Sequence, residues 1–427
     1  MNTRPRFLRQ RLEQLVEHSP VVLLKGARQV GKSTLAGVVG AGRDARFVTL
    51  DDPTDLALAA SDPRGFLNQA GRGGLLVIDE VQRAPELVLP IKAMVDAQQR
   101  AGSFLLTGSS DLFADYSAGD SLAGRLLVAN LKPYSAGELT GRATPEDFID
   151  WIMRCSEGDG DVVDSAQPDA LELEHPPLIE MVASGGYPRV ATMPTSFLRD
   201  EWFKGYLEQI VSHDILGEIG RKDVVAMRKM LRYVAAHPSQ ELVKTKVARA
   251  IDSSPKVVGG LLDTAERMFL IEQIPAWSSD FGQRSVKTPK FCLVDTGLAA
   301  FLSGFSPQMA DRPGSREYFG HLLEQWVVQQ LLAQQGWSQR RFTLNHYRTK
   351  DGAEVDVVVE FPNGQLILIE VKATSTPRVD QAHTLRRLKA TLGDRVVAGI
   401  IFHTGSTRAS VDDWLHVLPV DTLYRHS

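Results

Sequence analysis

The sequence predicts an α/β multidomain protein, and three observations predict it. Short apolar strands alternate with helix-compatible stretches through the first 140 residues or so, the signature of a mostly parallel sheet. From 176 to about 275 the apolar spacing is helical. Beyond 312 strands return around one long helix, giving a second α/β module. A chain of 427 residues is also too long for one core, and its size suggests roughly two to four domains. The expected division is 1–155, an acidic linker or insertion over 156–175, a helical region over 176–311, and 312–427.

Composition narrows the function classes. The chain is 43% hydrophobic and 23% charged, ordinary for a globular protein. No apolar run approaches the roughly 18 residues that span a bilayer, and the N-terminal stretch has arginines without an apolar core, so a cytoplasmic protein with no membrane contact is expected. The net charge of −4 argues against coating nucleic acid through bulk charge, though a local basic groove is compatible with it. Cys155 and Cys292, the two cysteines, suggest neither a disulfide framework nor a zinc site.

The first strand, "PVVLLKGA", runs into "GARQVGKST", which fits G-x-x-x-x-G-K-[ST]. A strand, a glycine-rich turn and then a helix is the setting in which backbone N–H groups and a helix N-terminus cradle phosphates. Gly26, Ala27, Arg28, Gln29, Val30, Gly31, Lys32, Ser33 and Thr34 are therefore the candidate ATP-binding residues, with Lys32 reaching the β/γ oxygens and Ser33 ligating Mg²⁺. "LLVIDE" ends a buried strand in two carboxylates: Asp79 for the Mg²⁺ shell, Glu80 to orient and polarise the attacking water. "FLLTGSS" ends another strand with Thr107 and Ser109 on one face, candidates to sense the γ-phosphate or hold the water. Arg125 in "SLAGR" is a candidate arginine finger, the alternative being a solvated ion-pair partner.

In the middle region, "VKTKVARAIDSSPKVVGGLLDTAERMFLIEQI" reads as two short helices and an apolar strand, a winged helix or a plain helical lid. Its second helix is not especially basic, which favours contact with protein over DNA. In the last module, "LILIEVKA" places Glu370 and Lys372 on one face of an otherwise apolar strand. Burying two charges costs several kcal/mol per ion unless each is paired or holds a metal, so the pair is an internal salt bridge or a site.

"GARQVGKST", "LDDP", "LLVIDEVQRAPELVLPIKAMVD", "FLLTGSSD", "SLAGR", "SGGYPRV" and "LVDTGLAAFL" together resemble the AAA-like ATPases of bacteria and archaea that carry a C-terminal domain of unknown function. The resemblance implies an AAA+-like P-loop ATPase core, a winged-helix middle and a restriction-endonuclease-like C-terminal domain, with ATP hydrolysis as the activity. Asp356, Glu370 and Lys372 form D-x(13)-E-x-K, similar to the PD-(D/E)xK nuclease motif, with Val355 where that motif has proline. Such chemistry needs two carboxylates on adjacent strands for Mg²⁺ or Mn²⁺ and a lysine beside the attacked phosphate. Glu324, on the preceding helix and directed toward an apolar face, fits a further acidic element. Arg348, Lys350, Arg378, Arg386, Arg387 and Lys389 are candidates for a DNA-backbone groove, while His346 and His383 read as ordinary histidines.

The resulting expectation is an Mg²⁺-dependent, homo-oligomeric ATPase that couples nucleotide state to DNA binding or processing, with endonuclease activity on DNA or a branched junction in the C-terminal domain as its furthest extension. Its rival is an ATP-driven switch or scaffold whose nuclease-like domain binds DNA or a protein partner without cutting. A P-loop kinase or GTPase is disfavoured by the paired carboxylates and the missing N-K-x-D motif.

Overall fold

The computed structural model describes residues 4–425 apart from 72, 110–121, 146, 164–176, 212–220 and 285–286. Two compact units are present: Met1–Pro133 with Arg267–Leu270, and Tyr134–Glu266 with Ile271–Ser427.

In the first unit, strands β1 (Val21–Lys25), β2 (Ala45–Thr49), β3 (Leu75–Asp79), β4 (Phe104–Gly108) and β5 (Leu126–Asn130) form a sheet in the order β2-β3-β4-β1-β5. Every pairing is parallel. The central strands β3 and β4 are buried throughout, which is why they read as unbroken apolar runs, whereas the edge strands β2 and β5 are half exposed. One face packs Leu23, Ile78, Phe104 and Leu106 against Phe66, Leu87 and Ile91. Parallel order has a functional consequence. The carboxyl ends of β1, β3 and β4 lie along one edge, and that edge carries the phosphate loop, Asp79 and Thr107.

The second unit contains two sheets. Helix Arg221–Ala236, strand β6 (Gln240–Glu241), helices Lys244–Ala250 and Pro255–Arg267, and strands β7 (Ile271–Ile274) and β8 (Lys290–Leu293) follow one another, with the strands ordered β6-β8-β7 and antiparallel. The larger sheet is built from β9 (Thr343–Arg348), β10 (Glu354–Glu360), β11 (Leu366–Lys372), β12 (Val396–His403), β13 (Ala409–Asp412) and β14 (Leu415–Pro419), ordered β13-β14-β12-β11-β10-β9. Strands β9, β10 and β11 form an antiparallel meander, and after helix His383–Leu392 the chain returns with β12 parallel to β11.

Helix Ser315–Gln334 is buried over most of its circumference, and its glutamines tie the unit together. Gln325 and Gln329 donate to the Leu293 carbonyl at 2.9 and 2.8 Å. Gln330 accepts from Ala136 N–H at 2.7 Å, and Gln334 accepts from Phe148 N–H at 2.9 Å. These bonds explain two departures from the sequence-based division. The first unit stops at 133 instead of 155, because helices Ala136–Thr140 and Phe148–Ser156 are claimed by helix Ser315–Gln334. The boundary expected at 311/312 falls inside one unit, because β8 is bonded to that same helix and His346 of β9 exchanges backbone hydrogen bonds with Pro275 and Trp277. Most of the acidic segment 156–175 lies outside the described residues. Among the described residues, no helix is long and apolar enough to cross a membrane.

Candidate functional sites

At the end of β1 the chain turns through Gly26, where a Cβ would come within 2.2 Å of the Leu131 carbonyl oxygen. Only glycine permits that approach. Gln29 and Gly31 both have positive φ, 61° and 97°, and Gly31 opens helix Lys32–Ala41. Arg6, which the sequence reading did not single out, fixes the loop by donating to the Val30 carbonyl at 2.9 Å. Lys32 donates to the carbonyls of Gly26 and Ala27 at 3.0 and 2.9 Å. Burial pushes its ammonium down to about 8, against the pull of Glu80 and Asp79. Arg28 is half-buried, while Ser33 and Thr34 are exposed.

Asp79 is the hub opposite this loop. Its Oδ1 accepts from Ser33 Oγ at 2.8 Å and from Thr107 Oγ1 at 2.5 Å. Glu80 follows at φ 56°, a left-handed conformation unusual for a carboxylate side chain, and its N–H donates to Thr107 Oγ1 at 3.2 Å. That turn carries the Glu80 carboxylate to Ser109 Oγ, 3.2 Å away, and to the amide of Gln82, which also reaches Ser109 at 3.0 Å. Thus Lys32, Ser33, Asp79, Glu80, Thr107 and Ser109 are brought together, with Gln82 as an unanticipated partner. "DEVQ" carried that signal: a polar side chain two residues past Glu80.

Arg125 does not join them. It precedes β5, its carbonyl accepts from Val21 N–H at the start of β1, and its guanidinium is paired with Asp96. The length of β1, about 13 Å at roughly 3.3 Å per residue, separates that position from the phosphate loop. In this structure Arg125 therefore lies away from the phosphate loop of its own chain.

The second constellation lies where β10 and β11 pair. Asp356 Oδ2 accepts from Val371 N–H at 2.8 Å. Glu370 Oε1 is bonded to Lys372 Nζ, whereas Glu370 Oε2 is buried with no hydrogen-bond partner. Burial, together with the charges of Glu324 and Glu370, holds the Asp356 carboxyl well above its usual range; burial raises Glu370 too, opposed by Lys372. Glu324 is differently engaged from the sequence expectation. Its Oε1 accepts from Lys290 Nζ at 2.7 Å, and the same ammonium lies 2.8 Å from Glu354. Lys290, with a side chain only 3% exposed, was missed; it is a lone charge entering the apolar strand "KFCL", the same pattern that drew attention to Glu370.

A divalent ion fits part of this cluster. Among the described residues no three acidic, histidine or cysteine side chains converge as a ready-made cage. Mg²⁺, however, is commonly held by one or two carboxylates and several waters. Asp356 and Glu370 offer that: adjacent buried carboxylates, one with an orphaned oxygen, each raised first by burial and then by neighbouring acids.

The candidate DNA-contacting residues are largely engaged in the chain's own structure. Arg386 pairs with Asp412, Arg387 with Asp351, Arg378 with Asp380, and Arg348 approaches Glu354 at 3.7 Å. Lys389 donates to the Val396 carbonyl at 2.8 Å and packs on Trp414, while Lys350 is exposed. His346 is a buried strand residue, pushed down to about 4 by burial and then by the Lys290 charge, and His383 is exposed.

Three family models match in order: an AAA domain over 18–140, and two domains of unknown function over 176–309 and 319–423. Uncharacterized proteins of Mycobacterium tuberculosis and Mycobacterium bovis are each 28% identical over 415 residues, covering 97% of this chain and 83% of theirs. Among solved structures, the Walker-type ATPase PABY2304 of Pyrococcus abyssi covers 69% of this chain and 94% of its own at 16% identity and a TM-score of 0.40. AMPPCP-bound DnaA from Aquifex aeolicus covers 61% and 85% at 15% identity and a TM-score of 0.29. The AAA match, the parallel sheet and the phosphate loop with its facing carboxylates define the first unit as a P-loop ATPase domain of the AAA type.

Proposed function

We propose that this chain is an Mg²⁺-dependent ATPase whose nucleotide cycle serves DNA binding or processing by the second unit. The observation that carries the ATPase half is the shared Asp79 Oδ1, which holds Ser33 and Thr107 at one point beside the phosphate loop. Ser33 and Asp79 would hold Mg²⁺, which when bound neutralises phosphate charge as the γ-phosphoryl group leaves. Lys32 exchanges its two carbonyl partners for β/γ oxygens. Glu80, fixed by Ser109 and Gln82, orients the attacking water and draws its proton. Arg125, remote from its own loop, would supply a positive charge only to a neighbouring copy, so this reading includes a homo-oligomer.

In the second unit, the order helix, β6, two helices, β7, β8 supports a winged helix. Helix Ser315–Gln334, the β9–β11 meander, a helix and the parallel return of β12 support a restriction-endonuclease-like fold. On this reading Asp356 and Glu370 would hold Mg²⁺ or Mn²⁺, which would supply Lewis-acid chemistry at a phosphodiester, and Lys372 would steady the attacked phosphate. A second reading, a scaffold that binds a partner without cutting, is favoured by the internal pairing of Arg378, Arg386 and Arg387, which leaves few free charges for a phosphate backbone.

One experiment separates them. The full chain is assayed on single-stranded, duplex and branched DNA, with Mg²⁺, Mn²⁺ or chelator, with and without ATP, over a range of protein concentrations. The proposal expects metal-dependent DNA binding or cleavage that Asp356→Asn and Lys372→Ala diminish, and ATP turnover per chain that rises with concentration. DNA association indifferent to metal and to both substitutions would favour the scaffold, and concentration-independent turnover would exclude a role for Arg125 in a neighbour's site.

A further inference from the structure

The acidic cluster of the second unit contains a cation already. Lys290 enters it from β8, a strand of the other sheet, and its ammonium touches Glu324 Oε1 and Glu354 Oε1 at 2.7 and 2.8 Å. Nothing about this arrangement is loose. The side chain is 3% exposed, and two residues of the same helix that carries Glu324, Gln325 and Gln329, donate to the carbonyl of Leu293 at the end of β8. A buried lysine must satisfy its three N–H donors, and here two carboxylates take that part, so they are fixed together with it.

The two halves of the cluster differ in hydrogen bonding. Glu324 and Glu354 bond Lys290, whose charge also reaches Asp356, whereas Glu370 Oε2 is buried without a partner. We propose that Lys290 is the resident cation of the Glu324–Glu354 half, so that the cluster accepts one divalent ion, at Asp356 and Glu370, and Glu324 is a positioning residue for Lys290 instead of a metal ligand. This rests on the reading that Asp356 and Glu370 take a metal. It also makes the site a joint product of β8 and the larger sheet: residues 312–427 alone would carry the carboxylates without their built-in counter-charge. An ammonium and a divalent ion repel, and only the ammonium is covalently tethered, so the ion is expected on the side of the unpartnered Glu370 oxygen.

The test counts Mn²⁺ bound per chain by electron paramagnetic resonance on the full protein without nucleotide, so that any contribution of the phosphate loop is common to all variants. Relative to wild type, Lys290→Met should gain one Mn²⁺, Lys290→Arg should gain none, and Lys290→Met with Glu324→Gln should lose the gain. In the wild-type background, Glu324→Gln should leave the count unchanged while Asp356→Asn lowers it by one. A count that stays at the wild-type value in folded Lys290→Met overturns the proposal. So does a lowered count in Glu324→Gln, which decides the matter even if Lys290→Met does not fold. If instead Asp356→Asn binds as many ions as wild type, the metal reading of the cluster itself fails, and the role of Lys290 as its co-occupant falls with it.

Discussion

The phosphate site of the first unit and the carboxylate cluster of the second both oppose lysines to acids, yet they are built in opposite ways. Around the phosphate loop, Lys32 rests on two backbone carbonyls and Asp79 on two hydroxyls, all neutral partners that a nucleotide and a metal can displace. In the cluster, Lys290 and Lys372 are already matched to charged partners, and the one buried carboxylate oxygen without a partner is Glu370 Oε2. The first site is poised to exchange its contacts for those of a ligand, whereas the second has spent most of its charge internally. An isolated acid or lysine is thus a poorer guide to ligand binding than whether its partners are neutral or charged.

One large expected effect breaks the first site. Lys32→Ala should lower ATP turnover by on the order of 10²–10³-fold and weaken nucleotide binding, since the phosphate charge loses its counter-ion; retained turnover would remove the loop from catalysis. The same lysine predicts a pH dependence. With its ammonium at about 8 before nucleotide binds, and raised once phosphates neutralise it, binding takes up a proton above that pH. Affinity should be level below about 8 and fall as pH rises through it, by up to about tenfold per unit. Titrations from pH 7 to 9.5 in wild type check this, and a flat profile would mean that Lys32 does not meet the phosphates.

A smaller effect sharpens the contrast from the other side. Asp356 has a carboxyl raised in the folded state by burial and by Glu324 and Glu370, so its favourable contribution is full below the unfolded value of 3.8 and is lost as pH rises through the folded one. Asp356→Asn should therefore be as stable as wild type at low pH and more stable near neutrality in the presence of chelator. Denaturant melts across that range measure it. Marked destabilisation at neutral pH would show that the charge of Asp356 is needed by its neighbours.

The legibility of the two sites follows the same line. Phosphate loop, Asp79, Glu80, Thr107 and Ser109 were readable because parallel strand order places strand ends together, so short motifs far apart in sequence converge without further information. Whether Arg125 serves its own site or a neighbour's was not legible, because "SLAGR" does not say that it precedes β5 and so lies at the opposite edge of the sheet, where it pairs with Asp96. The cluster was half readable: alternation paired Glu370 with Lys372, but Lys290 reaches it from another sheet, and no local pattern encodes that contact. Two family motifs turned out to be structural. In "SGGYPRV" and "LVDTGLAAFL", Asp295 caps helix Thr296–Ser303 through Leu298 N–H at 2.9 Å and accepts from Gly186 N–H at 2.6 Å. A Cβ at Gly185 would lie 2.2 Å from the Asp295 carboxylate, so the two stretches meet as one joint.

Glu80, held by Ser109 and Gln82, is expected to activate water while Lys32, Ser33 and Asp79 bind the nucleotide. Glu80→Gln, measured for ATP binding and for turnover in the same preparation with Mg²⁺, tests it directly. Nucleotide affinity should stay within a few-fold of wild type while turnover falls by on the order of 10²–10⁴-fold, the contribution of a positioned general base. Undiminished turnover, or loss of binding in parallel with turnover, would contradict that division of roles.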